Sequence, residues 1–159
     1  MSLVSAGILN TAAGSKLYIG SSIASQPNPQ LDSYTEVGDI SNLGTLGRVY
    51  ELITFKTLGD RNVLKFKGPR DHGNMSIELG KVGSDAGQAL AITALDDDHD
   101  YNFKVTLNDN NTSTGMNTTY YFSGKVMSFP VTIGTPNNVV TVKMDLQVKS
   151  NTIVEVGAT

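Results

Sequence analysis

Side-chain polarity alternates with a period of two along much of this chain, and this alternation restricts its fold more than any other feature. In NVVTVKMDLQVKS, apolar residues from Val140 to Val148 occupy every second position, which is typical of a strand with one buried face. Further stretches of this kind are KLYIG, TEVGDI, RVYELITFKT, NVLKFKG, MSIEL, YNFKVTL and YYFSGKVMSF. We therefore predict a mostly β protein, a β-sandwich or barrel of about eight strands.

One segment, SDAGQALAITALDD, has helical spacing instead. Asp85 is suited to cap its N-terminus, and Gln88 follows three positions later, as in a capping box. We predict one short flanking α-helix over residues ~85–95. Its buried side is predicted to consist of Ala86, Ala89, Leu90, Thr93 and Ala94. No internal repeat or linker divides the chain, so residues 1–159 are predicted to form a single domain.

The charge balance and the absence of cysteine exclude several kinds of site. The chain has 12 basic and 15 acidic residues, a net charge of −3, and no run of Lys and Arg suited to nucleic-acid phosphates. Specific DNA binding is therefore not expected. Without cysteine there are no disulfides and no thiolate metal sites. The first residues resemble neither a signal peptide nor a membrane span, so we expect no membrane insertion.

The stretch ALDDDHDYNFKV contains Asp96, Asp97, Asp98, His99 and Asp100, which suggests either a metal site or a turn between two elements. It lacks the alternating ligands, central Gly and closing Glu of a calcium loop. A zinc site would need more than the 2 histidines of this chain. The pattern favours a solvated turn, so we expect no metal, no cofactor and no catalytic residue here.

A second polar cluster, KGPRDHGN, holds Arg70, Asp71 and His72 between Pro69 and Gly73. Asp71 and His72 could be half of a hydrolytic dyad, whereas a turn bounded by Pro and Gly explains the same residues. The sequence has no nucleophile elbow, HExxH or phosphate-cradling glycine pattern. We therefore predict that the protein is not an enzyme.

Residues 48–68, RVYELITFKTLGDRNVLKFKG, predict two strands joined around residues 58–60, with bulky side chains on both faces. These side chains are Tyr50, Leu52, Ile53, Phe55, Val63, Leu64 and Phe66. In a lone monomer, one face of such an arm would be exposed apolar surface. Two interpretations are open: a hairpin packed inside its own domain, or an arm that packs on a neighbouring copy.

Four landmarks follow one another between residues 14 and 154. The first is GSKLYIG, and the second is YTEVGDISNLG, which precedes the arm. The third, GNMSIELGKVGSDAGQALAITALDDDHDYNFKVTL, predicts a strand, a GQALL-type helix, an acidic turn and a strand. The fourth is YYFSGKVMSFPVTIGTPNNVVTVKMDLQVKS. In order and spacing these landmarks resemble the tail tube (major tail) proteins of bacteriophages with long, non-contractile tails. No single motif is specific, and the order of the motifs carries the resemblance.

This resemblance implies a β-sandwich flanked by one helix, six copies of which close into a ring, while rings stack into a tube. On this basis we expect residues 1–13 to form a flexible N-terminal arm and residues 48–73 a long assembly arm. The expected self-assembly residues are Tyr50, Leu52, Ile53, Phe55, Leu64, Phe66, Arg70 and Asp71. The acidic turn with Asp96, Asp97, Asp98 and Asp100 could pair with Lys or Arg of a neighbouring subunit.

The resemblance further implies a conduit for DNA ejection into the host, with duplex DNA crossing the lumen without specific binding. The implied partners are other copies of the chain, a tape-measure protein, a tail terminator and tail-tip proteins. Such a protein is made in the host bacterial cytoplasm and ends in the virion. Alternatives are a tube subunit of a related injection machine (type VI secretion, contractile tail, gene transfer agent) or a carbohydrate-binding β-sandwich, supported only by the 6 tyrosines.

Overall fold

The computed structural model of the protein describes residues 9–110, 115–149 and 153–158. Most of the predicted N-terminal arm, residues 1–13, lies outside these ranges, and its residues 9–13 are exposed. The elements are β1 (Lys16–Ser22), β2 (Thr35–Val37), β3 (Ile40–Asn42), β4 (Val49–Lys56), β5 (Val63–Asp71), β6 (Asn74–Gly80), α1 (Ala86–Asp96), β7 (Tyr101–Thr106), β8 (Thr119–Ser128), β9 (Val131–Thr132), β10 (Thr141–Val148) and β11 (Val154–Val156). A short 3-10 turn, Pro29–Leu31, lies between β1 and β2.

Nine of these strands form one antiparallel sheet, in the order β2-β1-β7-β8-β10-β6-β3, with β11 beside β8 and β9 beside β10. The prediction of a mostly β protein with one short flanking helix is confirmed. The strands β3, β9 and β11 are only two or three residues long, too short for an alternating pattern to be recognised. The predicted strand TEVGDI is divided into β2 and β3 because Asp39 turns the chain with a φ of 56°.

The sheet curls until its two outermost strands meet. The outermost strands β2 and β3 are consecutive in sequence, and only Gly38 and Asp39 separate them. The enclosed core includes the stacked rings of Phe103 and Phe122, whose centroids are 5.6 Å apart. Its other fully buried large apolar side chains are Leu17, Ile19, Met75, Ile77, Leu79, Val142, Met144 and Leu146.

The helix α1 begins at the predicted cap, since the Asp85 carboxylate accepts the Gln88 backbone N–H at 3.0 Å. The capping box is wrong in its second half, because the Gln88 side chain points into the protein. Its amide donates to the carbonyls of Gly38 (3.4 Å) and Gly80 (2.9 Å). Its oxygen accepts the Val82 backbone N–H at 3.1 Å. The hydrogen bonds of Gln88 therefore hold the start of the helix against the connection between β2 and β3.

The buried side of α1 also differs from the prediction. The buried residues are Gly87, Gln88, Ala91 and Ala94. Ala86, Ala89 and Thr93 are exposed, and Leu90 is half-buried. Close packing is the reason, since a Cβ at Gly87 would lie 2.2 Å from the Glu36 carbonyl oxygen of β2. Within the described ranges, no helix has both the length and the apolar character needed to cross a membrane.

A carboxylate holds the connection between β1 and β2 against the outside of the sheet. Asp32 accepts hydrogen bonds from the backbone N–H groups of Ser21 (2.7 Å) and Ser33 (2.8 Å). It also accepts one from the fully buried amide of Asn102 (2.9 Å), whose oxygen accepts the Ser123 hydroxyl. Burial raises the pKa of Asp32, but the hydrogen bonds from Asn102 and Ser21 outweigh it and hold the pKa below its ordinary value of 3.8.

Candidate assembly surfaces

The hairpin formed by β4 and β5 stands apart from the sheet. Its strands pair with each other in a separate two-stranded sheet, and every residue of β4 is exposed. The two predicted strands are therefore confirmed, whereas the interpretation of a hairpin packed inside its own domain is wrong. We call residues 49–71 the hairpin, and its eight-residue strand β4 is about 27 Å long.

One face of the hairpin is apolar. Residues directly opposite each other in an antiparallel pair share a face. Ile53 lies opposite Phe66, and Phe55 lies opposite Leu64. These four side chains, 45–57% exposed, are called the apolar face below. The register thus selects half of the expected self-assembly residues and places them on one surface.

The opposite face of the hairpin is basic. It carries Lys56, Lys65 and Lys67, which we call the basic face, together with Leu52 and Tyr50. The Lys67 ammonium lies 3.7 Å from the centroid of the Tyr50 ring, in a cation–π contact. The sequence contains no run of lysines here, because residues from two strands come together only through their pairing register. This cluster therefore could not be predicted from the sequence.

The base of the hairpin is a turn that leads into β6. Arg70 belongs to the β4–β5 ladder. The Asp71 carboxylate accepts the Gly73 backbone N–H at 2.9 Å, a bond typical of turns. The His72 ring is buried, and this burial lowers its pKa, as do the positive charges of nearby arginines. Asp71 and His72 therefore face different surroundings, with the carboxylate engaged by the backbone.

Of the acidic turn predicted over residues 96–100, residues 97–100 connect α1 with β7, and Asp96 is the last residue of the helix. The Asp97 carboxylate is hydrogen-bonded to the His99 ring at 2.7 Å and accepts the His99 backbone N–H. It also accepts the Tyr101 hydroxyl at 2.8 Å. The bonds from the His99 ring and from Tyr101 lower the pKa of Asp97 to about 2.

Two lysines of the same chain fasten this turn to the sheet. The Asp100 carboxylate lies 2.8 Å from the Lys125 ammonium and 3.7 Å from the Lys149 ammonium. The side chains of Asp96 and Asp98 are exposed. Among the residues that the structure describes, no three His, Asp or Glu side chains are grouped so as to hold a metal ion.

Further exposed apolar side chains lie in β9 and in the connection between β9 and β10. The chain turns there with the Asn138 backbone N–H donating to the Thr135 carbonyl at 2.9 Å. Val131, Ile133 and Val139, which we call the apolar tip, are 43%, 70% and 77% exposed. Residues 126–142 contain no charged side chain. This uncharged run is the signal by which the sequence could have identified the surface.

Comparison with known proteins gives matches among solved structures only, since no family model and no curated protein matches the chain. A chain in the six-fold symmetrised structure of the anti-feeding prophage baseplate gives a TM-score of 0.73 at 12% identity, covering 95% of this chain and 97% of that chain. A chain in the PVC sheath/tube terminator of an extracellular contractile injection system gives 0.65 at 14%, covering 96% and 100%. The SPP1 tail tube gives 0.63 at 16%, covering 90% and 76%.

At these identities the similarity establishes a common fold. The fold is a curled antiparallel sheet with one flanking helix, of the kind present in tail tubes and contractile injection systems. The sequence-based resemblance to tail tube proteins is supported at this level. Both a tail tube and a chain of a contractile injection system match this chain.

Proposed function

We propose that this protein is a structural, non-enzymatic subunit that self-assembles into stacked rings of six copies. In this proposal the rings form the tail tube of a phage with a long, non-contractile tail and act as the conduit for DNA ejection. The fold shared with the SPP1 tail tube and with chains of contractile injection systems supports a tube-forming role. The six copies per ring come from the family resemblance.

The observation that carries this proposal is the exposed apolar surface of the hairpin. Its nine large apolar side chains are 39–109% exposed. Together they expose on the order of 800 Å² over both faces of the hairpin, taking roughly 150 Å² for each side chain, the lower end of the range for aromatic residues. The four side chains of the apolar face account for about 300 Å² of this, within the range of about 300–600 Å² for the largest apolar patch of a monomer, which is often functional. The two faces together approach the roughly 800 Å² that a stable interface buries on each partner.

We assign the contact between rings to residues 48–73, with Arg70 and Asp71 at the base of the hairpin. The apolar face supplies the area that is buried. Packing of this exposed face is most favourable in free energy against another uncharged surface, because burying an unpaired charge costs free energy. Assembly through the hairpin leaves the core of each subunit unchanged.

Contacts between neighbouring copies within one ring would be ion pairs. Lys125, which forms an ion pair with the acidic turn, lies opposite Gln147 of β10. Gln147 in turn lies opposite Asn74, the first residue of β6, which is next to the base of the hairpin. The acidic turn therefore lies level with the hairpin base. We propose that Asp96 and Asp98 of one copy pair with the basic face of a lateral neighbour, while Asp97 and Asp100 keep their partners within the chain.

The proposed partners are further copies of the chain, a tape-measure protein inside the tube, a tail terminator and tail-tip proteins. Duplex DNA would pass through the lumen without specific binding. Because DNA carries about one charge per 1.7 Å of its axis, a wall that held phosphates tightly would stall its transit. The net charge of −3 is compatible with such a wall. The site of action would be the virion, after synthesis in the host bacterial cytoplasm.

A tube subunit of a contractile injection machine is the second candidate. It is favoured by the TM-score of 0.65 with a chain of the PVC sheath/tube terminator of an extracellular contractile injection system, compared with 0.63 for the SPP1 tail tube. The two candidates differ in whether a contractile sheath surrounds the tube. Purification of the native particle followed by identification of its proteins would distinguish them, because a sheath would be among the most abundant.

Negative-stain electron microscopy of the purified protein, dilute and then concentrated, tests the proposed function. Rings or tubes with an open centre are the expected result. Sedimentation velocity on the same samples measures how the assembled fraction depends on concentration. Compact monomers at every concentration by both methods would contradict self-assembly. That result would favour the carbohydrate-binding alternative.

A further inference from the structure

The hairpin and the apolar tip lie at opposite ends of the same pair of strands. The hairpin leaves the sheet next to Asn74, which pairs with Gln147. The apolar tip projects beyond Thr141, which pairs with Gly80 at the other end of β6. The seven residues of β6 span about 20 Å. The strands of the hairpin pair only with each other and stand apart from the sheet, so the two surfaces do not contact each other within one molecule.

The two surfaces are also chemically matched. The apolar face consists of two aromatic and two aliphatic side chains, and the apolar tip consists of three aliphatic side chains in an uncharged run. None of these seven side chains is charged, so contact among them carries none of the penalty for desolvating a charge. Glu51, which alternation places on the same side of β4 as Ile53, lies nearer the base of the hairpin than Phe55. The basic face of the hairpin would incur that penalty on the same tip.

We propose that the apolar face of one copy packs on the apolar tip of a second copy in the next ring. This inference rests on the proposed tube function and adds the surface that receives the hairpin. Because each copy presents the hairpin at one end and the tip at the other, the contact is heterologous. Heterologous contacts along an axis repeat without closing, and this is the geometry that a tube of stacked rings requires.

Cysteine cross-linking tests the contact directly, since the chain has no cysteine of its own. Phe55→Cys and Ile133→Cys are introduced into one chain, and assembled tubes are mildly oxidised. A disulfide needs Cα atoms about 4.4–6.8 Å apart, so the bond can form only between copies. The expected result is a ladder of covalent oligomers on a denaturing gel. Each single variant should give dimers at most.

The matched control is Lys56→Cys with Ile133→Cys, because Lys56 is adjacent to Phe55 but on the opposite face. This control should give no ladder. A second pair, Leu64→Cys with Val139→Cys, covers a small shift in the packing. A ladder from either apolar pair, without one from the control, supports the inference.

The remaining outcomes separate the two proposals. Tubes that form normally but yield no ladder from either pair, or an equal ladder from the control, overturn the proposed receiving surface and leave the tube function standing. Efficient dimers from Phe55→Cys alone would mean that hairpins pair with each other, which also overturns it. Wild-type protein that forms neither rings nor tubes under the microscope refutes the tube function, and the inference with it.

Discussion

Replacing Phe55 and Leu64 with aspartate should stop assembly and leave the folded body intact. The two side chains lie opposite each other on the hairpin, 57% and 47% exposed, and neither belongs to the hydrophobic core. Their cross-strand contact contributes at most about 1 kcal/mol to the hairpin itself. For a chain of this length such a loss lowers the melting temperature by about 4 °C or less.

The effect on the contact between copies should be much larger. Full burial of a Leu or Phe side chain contributes about 1.5–3 kcal/mol, and roughly half of each of these side chains is still available for burial. The lost apolar contact is therefore worth about 2.5 kcal/mol. Desolvation of the two carboxylates raises the total to at least about 4 kcal/mol. Each contact should then weaken roughly a thousandfold.

Sedimentation velocity measures the concentration at which half of the protein is assembled, and circular dichroism measures the melting temperature. The uncharged variant Phe55→Ser with Leu64→Thr separates lost apolar contact from charge. It should raise the half-assembly concentration by roughly 60-fold, following the 2.5 kcal/mol of lost contact alone. Tubes of the aspartate variant at the wild-type concentration would refute the assignment of the hairpin. A fall of more than about 10 °C in melting temperature would show that the hairpin supports the body.

Three substitutions in the body test the fold. Gly87→Ala should lower the free energy of unfolding by about 1–3 kcal/mol, because its Cβ would lie 2.2 Å from a backbone oxygen. Thermal melting checks this against Gly83→Ala, which meets nothing within 4 Å and should melt like the wild type. Asn102→Ala should cost about 1–3 kcal/mol in urea unfolding at neutral pH, because Asp32 loses a buried donor. The folded pKa of Asp32 lies below 3.8, so its stabilisation is present above that pH and is lost as pH falls through the folded pKa. The variant should therefore lose less further stability than the wild type below about pH 4. Asp100→Asn should lower the unfolding free energy by about 1 kcal/mol through loss of its two lysine contacts, and an unchanged urea midpoint would contradict this.

The longest strands and the helix start could be predicted because their signals are local. In β10 the alternating pattern follows burial directly, with Val142, Met144 and Leu146 inside. The N-cap was also predictable, since Asp85 and the N–H that it accepts are three residues apart. Such patterns can be recognised because residues at a fixed spacing along the chain all face the core.

Contacts between distant segments could not be predicted. Gln88 is buried because Gly38 and Gly80 place carbonyls around its amide, and a polar residue in a helix is otherwise expected on the exposed side. The carboxylate of Asp32 is bound by Asn102, which is 70 residues away. Neither pairing follows from the local pattern at its own position.

The candidate surfaces also combine features that can be predicted from the sequence with features that depend on tertiary structure. The apolar residues of the hairpin are recognisable in sequence, but only the register shows that Ile53, Phe55, Leu64 and Phe66 share one face. The basic face was missed for that reason. The apolar tip was missed because a turn with Gly, Pro and Asn predicts a connection, and exposure of its apolar residues is a tertiary property.

The chain consists of a packed body and a hairpin that stands apart from it. The outermost strands of the body, β2 and β3, have three residues each and meet at a corner, so the body offers little free edge for pairing. The hairpin, by contrast, has two strands of eight and nine residues with one unpaired edge each. A two-stranded hairpin without packing is only marginally stable in water. In the proposed tube its stabilisation would come from another copy, so that the body folds first and assembly follows without rearranging the core.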